Sequence, residues 1–398
     1  MIVQPKIRGF ICTTAHPAGC ARHIEQQINF VKKHAPLKGC KNVLVIGAST
    51  GYGLASRIAA TWGAQAKTIG VMFEKPAIDK RTASAGWYNT AAFEKAAEKD
   101  GFYAKSINGD AFSNEIKQQV IDIIKRDWPE RVDLVIYSLA SPKRLHPSDG
   151  TIYNSELKPI GDAYTNKTID VMNGTVSMVT LQPASHQDIA NTVQVMGGED
   201  WEMWMDALGD AGVLANNVQT VAYSYIGPEL TYPVYKNGTI GRAKEHLEQT
   251  AKALTLKLKP LHGKAVVSVN KAVVTQASAA IPVVPLYISL LFKIMKDKNI
   301  HEGCIEQIWR LFHDYLCAEQ PKPLDDAGRI RLDDLEMRDD VQAEISRNWD
   351  KLDSSNILEL SDLAGYREEF HHLFGFSFPL IDYNADIDVS VPILSIED

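Results

Sequence analysis

Cysteine is scarce in this chain, and long apolar runs are missing. There are five cysteines in 398 residues. So few in so long a chain build no disulfide framework, and the odd count leaves at least one thiol free, which suits a reducing compartment. The most apolar stretch, Ile281–Phe292, falls short of the roughly 20 residues that span a bilayer, and Pro282 and Pro285 interrupt its start. The opening residues MIVQPKIRGF lack the charged-then-apolar pattern of a secretory signal. Stable membrane insertion is not expected, and a cytoplasmic location is. A basic block is also absent. The formal charge is −7, and Lys252, Lys257 and Lys259 are interleaved with apolar residues, as on a solvated helix face. Binding nucleic-acid phosphates needs clustered Lys and Arg, so no nucleic-acid partner is expected. The chain has no internal repeat and no low-complexity linker.

What remains is 45% hydrophobic residues in an alternating pattern. Short apolar runs read as strands at Asn42–Ile46, Thr68–Phe73, Tyr103–Ile107, Leu134–Ser138, Val218–Ile226 and Ala265–Val269. Helical spacing separates several of them. It runs through Leu54, Ala55, Ile58, Ala59 and Trp62, through Asn114–Asp127, and through Gly241–Leu258 with Ala243, Leu247, Ala251, Leu254 and Leu258 inward. Alternation of this kind predicts an α/β fold, a doubly wound parallel sheet of the Rossmann type. Three mostly helical additions extend it: an N-terminal arm (1–40), an insertion near 142–200 in the 41–275 core, and a C-terminal extension (276–398). With no linker between them, one enlarged domain is expected.

The strongest motif is VLVIGASTGYGLASRI, a buried strand running into Gly47, Gly51 and Gly53 and then a helix. Glycine at such points permits a tight turn and lets a pyrophosphate approach main-chain N–H groups, and the helix N-terminus adds unpaired donors. Gly47-Ala48-Ser49-Thr50-Gly51 also matches G-x-S-x-G, which would make Ser49 the nucleophile of a hydrolase. Against that, the motif follows the first strand, and Gly53 is left unexplained. The second strand ends in Phe73-Glu74. A carboxylate about 20 residues past the glycines suits the adenosine ribose hydroxyls and repels a 2′-phosphate, favouring NADH over NADPH, although Lys75 next door opposes this. Asp110-Ala111, after the third strand, is placed to flank the adenine. Ser138-Leu139-Ala140 closes the fourth with small residues that let a cofactor cross the sheet edge.

Between the fifth strand and the next helix lies Tyr232-Pro233-Val234-Tyr235-Lys236-Asn237-Gly238-Thr239-Ile240-Gly241-Arg242-Ala243-Lys244. A tyrosine near a lysine can stabilise negative charge on a carbonyl oxygen, because the ammonium lowers the phenol pKa and can also hold a nicotinamide ribose. Tyr232 and Lys236 have the spacing of one helix face, but Pro233 biases Tyr232 away from helical angles and Asn237-Gly238 signals a turn. Tyr235 and Lys244 would stand roughly 13 Å apart on a continuous helix. They can cooperate only if Tyr235 sits on a loop ahead of it, and Asn237, Gly238 and Gly241 supply that loop. Tyr235 with Lys244 is the preferred pair.

These stretches, with RGFICTTAHPAGC, GWYN, SINGDAFS, DLVIYSLASP, VMGGEDWEMW, AYSYIGPE, YKNGTIGRAK, KAVVTQASAAIP, HEGCIEQI and DLAGYR, resemble the trans-2-enoyl-CoA reductase and FabV-type enoyl-acyl-carrier-protein reductase family, an enlarged branch of the short-chain dehydrogenases. The resemblance covers the chain from end to end, and the Tyr-x8-Lys spacing is its most specific mark. It implies NADH-dependent reduction of the C2–C3 double bond of a trans-2-enoyl thioester in fatty acid synthesis, with CoA or acyl-carrier protein as carrier. It implies that Tyr235 is the proton donor, that Lys244 contacts the cofactor, and that Tyr225 touches the substrate. It also implies that Gly47, Ala48, Ser49, Thr50, Gly51, Tyr52, Gly53, Phe73, Glu74, Asp110, Ala111, Leu139, Ala140, Ala272, Val273, Val274 and Thr275 line the NADH site, and that the protein is a monomer. A catalytically silent NADH sensor is the other class, and the presence of both Tyr235 and Lys244 opposes it.

Elsewhere, Ala277–Phe292 reads equally as a mobile lid over an acyl chain or as a core helix. Cys12, His16 and Cys20 have four-residue spacing, but Pro17 and Gly19 disfavour a helix there and a fourth ligand is missing, so no metal is expected. His301-Glu302-Gly303-Cys304 reads as packing or a cap. Trp201 and Trp204 behind Glu199 and Asp200 read as a helix start with buried aromatics.

Overall fold

The computed structural model describes residues 1–9 and 11–396. Its centre is a seven-stranded sheet in which every pairing is parallel. The strands are β1 (Asn42–Ile46), β2 (Lys67–Met72), β3 (Ala104–Asn108), β4 (Val132–Tyr137), β5 (Leu214–Ser224), β6 (Lys264–Val269) and β7 (Ile330–Arg331). Their order is β7-β6-β5-β4-β1-β2-β3. The chain winds outward from β1 in one direction and then, from β4, in the other. The crevice at that reversal, beyond the carboxyl ends of the strands, is where open α/β sheets bind ligands. The six expected strands form within a few residues of their predicted bounds, and β7 is an addition.

Parallel strands need crossover helices, and these bury both faces of the sheet. One face carries α1 (Pro17–Lys32), α2 (Gly51–Ile58) and α9 (Cys304–Leu311), whose Ile24, Ile28, Leu54, Ile58 and Ile308 pack on Val43 and Val45. The crossover helix α3 (Ala85–Lys99) adds Phe93 to the same layer. The opposite face carries α4 (Asn114–Asp127), α6 (Glu199–Asp210) and α7 (Thr239–Lys257), with Val120, Trp201, Trp204, Leu247 and Leu254 on Leu44 and Val135. Trp201 and Trp204 are completely buried, as the sequence suggested for that helix start.

The additions build a third core over the carboxyl ends of the strands. The insertion, expected to be mostly helical, instead leads with two antiparallel hairpins, Lys143–Leu145 with Ile152–Asn154 and Tyr164–Asp170 with Thr175–Leu181, followed by α5 (His186–Met196). The C-terminal extension supplies α8 (Val284–Asp297), α10 (Asp339–Lys351) and α11 (Leu363–His372). Ala277–Phe292 is not one helix. A short turn of helix (Gln276–Ala279) breaks at Val283, whose φ of 74° lies in the left-handed region, and α8 then begins at Val284. Residues Val284 to Phe292 are all buried against α10, α11 and the second hairpin, so this stretch is packed as core.

Two local expectations need correction. Pro17 does not spoil a helix near the first cysteines: it opens α1. Proline is tolerated there because the missing N–H would be unpaired in any case. His16 caps the same helix, its Nδ1 accepting from Gly19 N at 3.3 Å. Tyr232 adopts helical angles (φ −51°, ψ −42°) in spite of Pro233, at the end of a 3-10 turn over Glu229–Thr231. No helix among the described residues is long and apolar enough to cross a membrane.

Two tertiary ties join distant parts of the chain. The Sγ atoms of Cys40 and Cys317 lie 3.0 Å apart. Residues 389–395 run past the outer strand: the Val389 and Val391 carbonyls accept from Tyr88 Oη and Trp87 Nε1, and Ser395 Oγ accepts the Ser106 amide of β3 at 2.8 Å.

Candidate active site

Glycine makes the turn after β1 possible. Gly47 has φ of 86°, and a Cβ on it would lie 2.4 Å from the Ser138 carbonyl oxygen at the end of neighbouring β4. A Cβ on Gly53 would lie 1.9 Å from the Gly47 carbonyl oxygen, so the first turn of α2 can sit on the loop only without a side chain. Thr50 is the N-cap of α2, and its side chain makes no capping bond. The unpaired N–H groups of this N-terminus therefore face the crevice, the usual arrangement for a diphosphate. Thr50 and Gly51 line a cavity of about 380 Å³ together with Val273, Val274 and Thr275 from the loop after β6. The glycine turn and residues 273–275, more than 200 positions apart in sequence, thus line one cavity. Tyr52 turns away from the crevice, its hydroxyl donating to the Lys271 carbonyl at 2.7 Å.

The carboxylate at the end of β2 is held firmly. Glu74 Oε1 accepts from Ser49 Oγ at 2.6 Å, Oε2 accepts from Ser84 Oγ, and the Glu74 main chain is clamped on both sides by the Asn108 amide. This geometry disposes of the hydrolase reading. A nucleophilic serine needs a base to take its proton. Ser49 donates its proton to a carboxylate, and no imidazole bonds to it among the described residues. Phe73 is 76% exposed beside Glu74. Asp110 Oδ1 accepts the Phe112 amide, Ala111 is buried, and Leu139 and Ala140 leave β4 half-buried and exposed. All of these stand at the carboxyl ends of β1 to β4.

The fifth and sixth strands end at the same level. Tyr225 directly follows β5, and its ring meets that of Tyr235 edge-on, with centroids 4.7 Å apart. Tyr235 lies on the loop before α7, as the sequence required, held by its own amide to the Thr231 carbonyl at 3.0 Å. Lys244, in the second turn of α7, donates from Nζ to the Tyr223 carbonyl at 3.0 Å. Lys236 is exposed, stacked over the Tyr232 ring at 4.5 Å, so the competing pair makes a surface contact.

One electrostatic expectation fails. The Lys244 ammonium does not pull the Tyr235 phenol down. Burial pushes that phenol up, and the negative Glu336 adds to the rise. Lys244 points to the Tyr223 carbonyl instead, and its own pKa is lowered by burial to about 8. Tyr235 is therefore a neutral phenol at ordinary pH, the form that has a proton to give.

The sequence reading missed Glu336. It is fully buried, and it receives Tyr225 Oη at 2.9 Å and Tyr287 Oη at 2.6 Å on Oε1, and the Ala272 amide at 2.8 Å on Oε2. The buried Lys271 lies near enough for the opposite charges to act on one another. One acid within the polar run RLDDLEMRDD carries no local mark of burial. Tyr287, a lone hydroxyl in an apolar stretch, was the available hint.

A sheet that reverses at a glycine turn, with an anchored acid at the next strand end and a tyrosine and lysine two strands away, defines a dinucleotide-dependent oxidoreductase of the doubly wound class. Comparison with known proteins narrows this. Residues 2–79 match the model of the NAD(P)H binding domain of trans-2-enoyl-CoA reductase, and residues 81–317 that of the trans-2-enoyl-CoA reductase catalytic region. An enoyl-[acyl-carrier-protein] reductase [NADH] of Coxiella burnetii is 63% identical over 398 residues, 100% of this chain and 98% of the relative. A trans-2-enoyl-CoA reductase [NADH] of Ruminiclostridium cellulolyticum is 58% identical over 393 residues, 99% of each chain. The crystal structure of Treponema denticola trans-2-enoyl-CoA reductase in complex with NAD superposes with a TM-score of 0.94 at 48% identity, covering 97% of this chain and 98% of that one. The chain belongs to the NADH-dependent trans-2-enoyl-CoA and enoyl-acyl-carrier-protein reductase family.

Residues 324–387 match a model described as an enoyl reductase FAD binding domain. They do not fit a flavin here. The segment has no strand–glycine turn–helix of its own, and Val341, Ile345, Trp349, Leu363, Tyr366 and Phe370 are buried in the third core.

Proposed function

We propose that this protein reduces the C2–C3 double bond of trans-2-enoyl thioesters beside the edge-on Tyr225–Tyr235 pair, with Tyr235 as proton donor. The carrying observation is the buried, neutral Tyr235 hydroxyl, which stands on the loop ahead of α7 at the carboxyl ends of the strands. When bound, NADH would supply the hydride that C3 of the enoyl group takes up. Negative charge then develops on the thioester carbonyl oxygen as an enolate. The Tyr235 hydroxyl hydrogen-bonds that oxygen and gives up its proton, which ends on C2 of the saturated product. A preorganised donor in a buried site stabilises such charge far better than water does.

The rest of the site holds the cofactor. Gly47 and Ala48 form the turn, their amides bonded to the Val71 carbonyl, and the free amides of Ser49 to Gly53 would take the diphosphate; Glu74 would take the adenosine ribose hydroxyls, Phe73, Asp110 and Ala111 would flank the adenine, and Leu139 and Ala140 would border its path. Lys244 would hold the nicotinamide ribose, and Ala272, Val273, Val274 and Thr275 would lie beside the ring. Ser49 serves here by fixing Glu74 and by its main chain. The apolar third core offers the acyl chain a wall, and the protein acts as a single copy in the cytoplasm. Both CoA and acyl-carrier protein present the acyl group as the same kind of thioester, and the site serves that thioester.

The test is spectrophotometric NADH oxidation with crotonyl-CoA and with a matched acyl-carrier-protein substrate. Tyr235→Phe should lower turnover by about 100-fold or more while NADH still binds. Tyr232→Phe should stay close to the parent. The reverse pattern would transfer the chemistry to Tyr232.

A further inference from the structure

Three tyrosine hydroxyls crowd the site, and they are not equivalent. Tyr225 and Tyr287 both donate to Oε1 of Glu336, at 2.9 and 2.6 Å. The other carboxylate oxygen is anchored by the Ala272 amide at 2.8 Å. Tyr235, edge-on to Tyr225, makes no hydroxyl bond to protein among the described residues. A tyrosine has one proton to donate and lone pairs to accept with. Tyr225 has already committed its proton away from the crevice, so it presents only acceptor character and a ring edge towards the substrate. Tyr235 has kept its proton.

Glu336 creates this asymmetry. Three donors converge on it. Burial raises its carboxyl pKa, and the Tyr287 hydrogen bond and the buried Lys271 ammonium oppose that rise. A glutamine there would keep the shape but turn an N–H₂ group towards one of the present donors. Facing the Ala272 amide, that group would leave two buried donors unsatisfied; facing the tyrosines, it would make their hydroxyls acceptors and free the Tyr225 proton.

We propose that Glu336 is a positioning residue for enoyl reduction: by taking the Tyr225 hydroxyl proton it fixes that ring against Tyr235 and leaves Tyr235 as the sole proton donor aimed at the thioester carbonyl. Glu336 touches no reacting atom and acts through Tyr225. The proposal rests on the functional reading above.

The experiment is a double-mutant cycle of Glu336→Gln and Tyr225→Phe, read as kcat and KM for crotonyl-CoA, with NADH affinity by fluorescence titration as the folding control. Glu336→Gln should lower kcat by about tenfold with NADH affinity within about threefold of the parent. The same substitution should cost less than about twofold further in the Tyr225→Phe background, because residues that act as a unit are non-additive. A kcat unchanged in Glu336→Gln, or an equal penalty in both backgrounds, overturns the proposal. Tyr225→Phe removes no buried charge and is the second arm should Glu336→Gln fail to fold. Its loss of kcat should be at least about tenfold smaller than that of Tyr235→Phe. Equal losses would make Tyr225 a proton donor as well and overturn the asymmetry. A parent enzyme with no turnover would remove the functional reading and this proposal together, whereas an active parent with an indifferent Glu336→Gln would remove only the proposal.

Discussion

Lys244 gives the pH dependence of this enzyme a definite sign. Its pKa is lowered by burial from 10.5 to about 8, and its hydrogen-bond partner is the neutral Tyr223 carbonyl. In the free enzyme the ammonium form should fall from about nine-tenths at pH 7 to about one-tenth at pH 9, a loss of about tenfold in the form that can donate to a ribose hydroxyl. Tyr235 cannot produce this limb, because burial moves its phenol the other way, to the alkaline side of its usual range. The assay is kcat/KM for NADH at a fixed saturating level of enoyl thioester, between pH 6.5 and 10, since kcat/KM reports groups of the free enzyme. The expected curve is flat to about pH 7.5 and then falls towards tenfold per pH unit. Lys244→Arg, which stays charged throughout, should lower the plateau but remove the fall. A flat profile in the parent, or the same limb surviving in Lys244→Arg, would refute the assignment of both the pKa and the role.

Gly53→Ala should abolish measurable NADH binding and lower the thermal midpoint, because its Cβ would lie 1.9 Å from main-chain oxygen that cannot yield; retained affinity in a titration would contradict the turn geometry. Glu74→Ala should reduce the preference for NADH over NADPH by about tenfold or more in the ratio of kcat/KM values, since the acid that repels a 2′-phosphate is gone; an unchanged ratio would assign the discrimination elsewhere. Treatment with diamide should consume two thiols and link the peptides of Cys40 and Cys317, whose sulfurs lie 3.0 Å apart; Cys317→Ser should prevent it, as read by non-reducing peptide mapping.

The sheet and the glycine turn were legible because both are local. A strand is a short run of apolar residues, and a positive-φ turn demands glycine whatever lies around it. The placement of Tyr235 ahead of α7 was legible for a similar reason, as Asn237 and Gly238 mark a bend within the segment itself. The features that escaped depend on distant chain. The Tyr235 phenol is raised by burial and by the distant Glu336, which the nearby lysine could not reveal. The G-x-S-x-G match at Ser49, already opposed by its place after the first strand, is explained by Glu74 on the next strand, which holds the serine proton. Glu336 meets Tyr225 across 111 residues, and β7 is two residues long with no pattern to betray it. Pro17 misled because proline means opposite things at the first position of a helix and inside one.

The short strap over β3 carries a consequence for colloidal behaviour. An outer strand with open amides is a template on which a second copy can add a strand of its own. Here Ser395 sits across the middle of that rim, while the carbonyls of Val389 and Val391 satisfy two aromatic donors beneath. Stripping these few residues would uncover a sticky rim and orphan the Trp87 indole and the Tyr88 phenol together. The cover of that rim thus falls to a ribbon set apart from the glycine turn and the tyrosine loop.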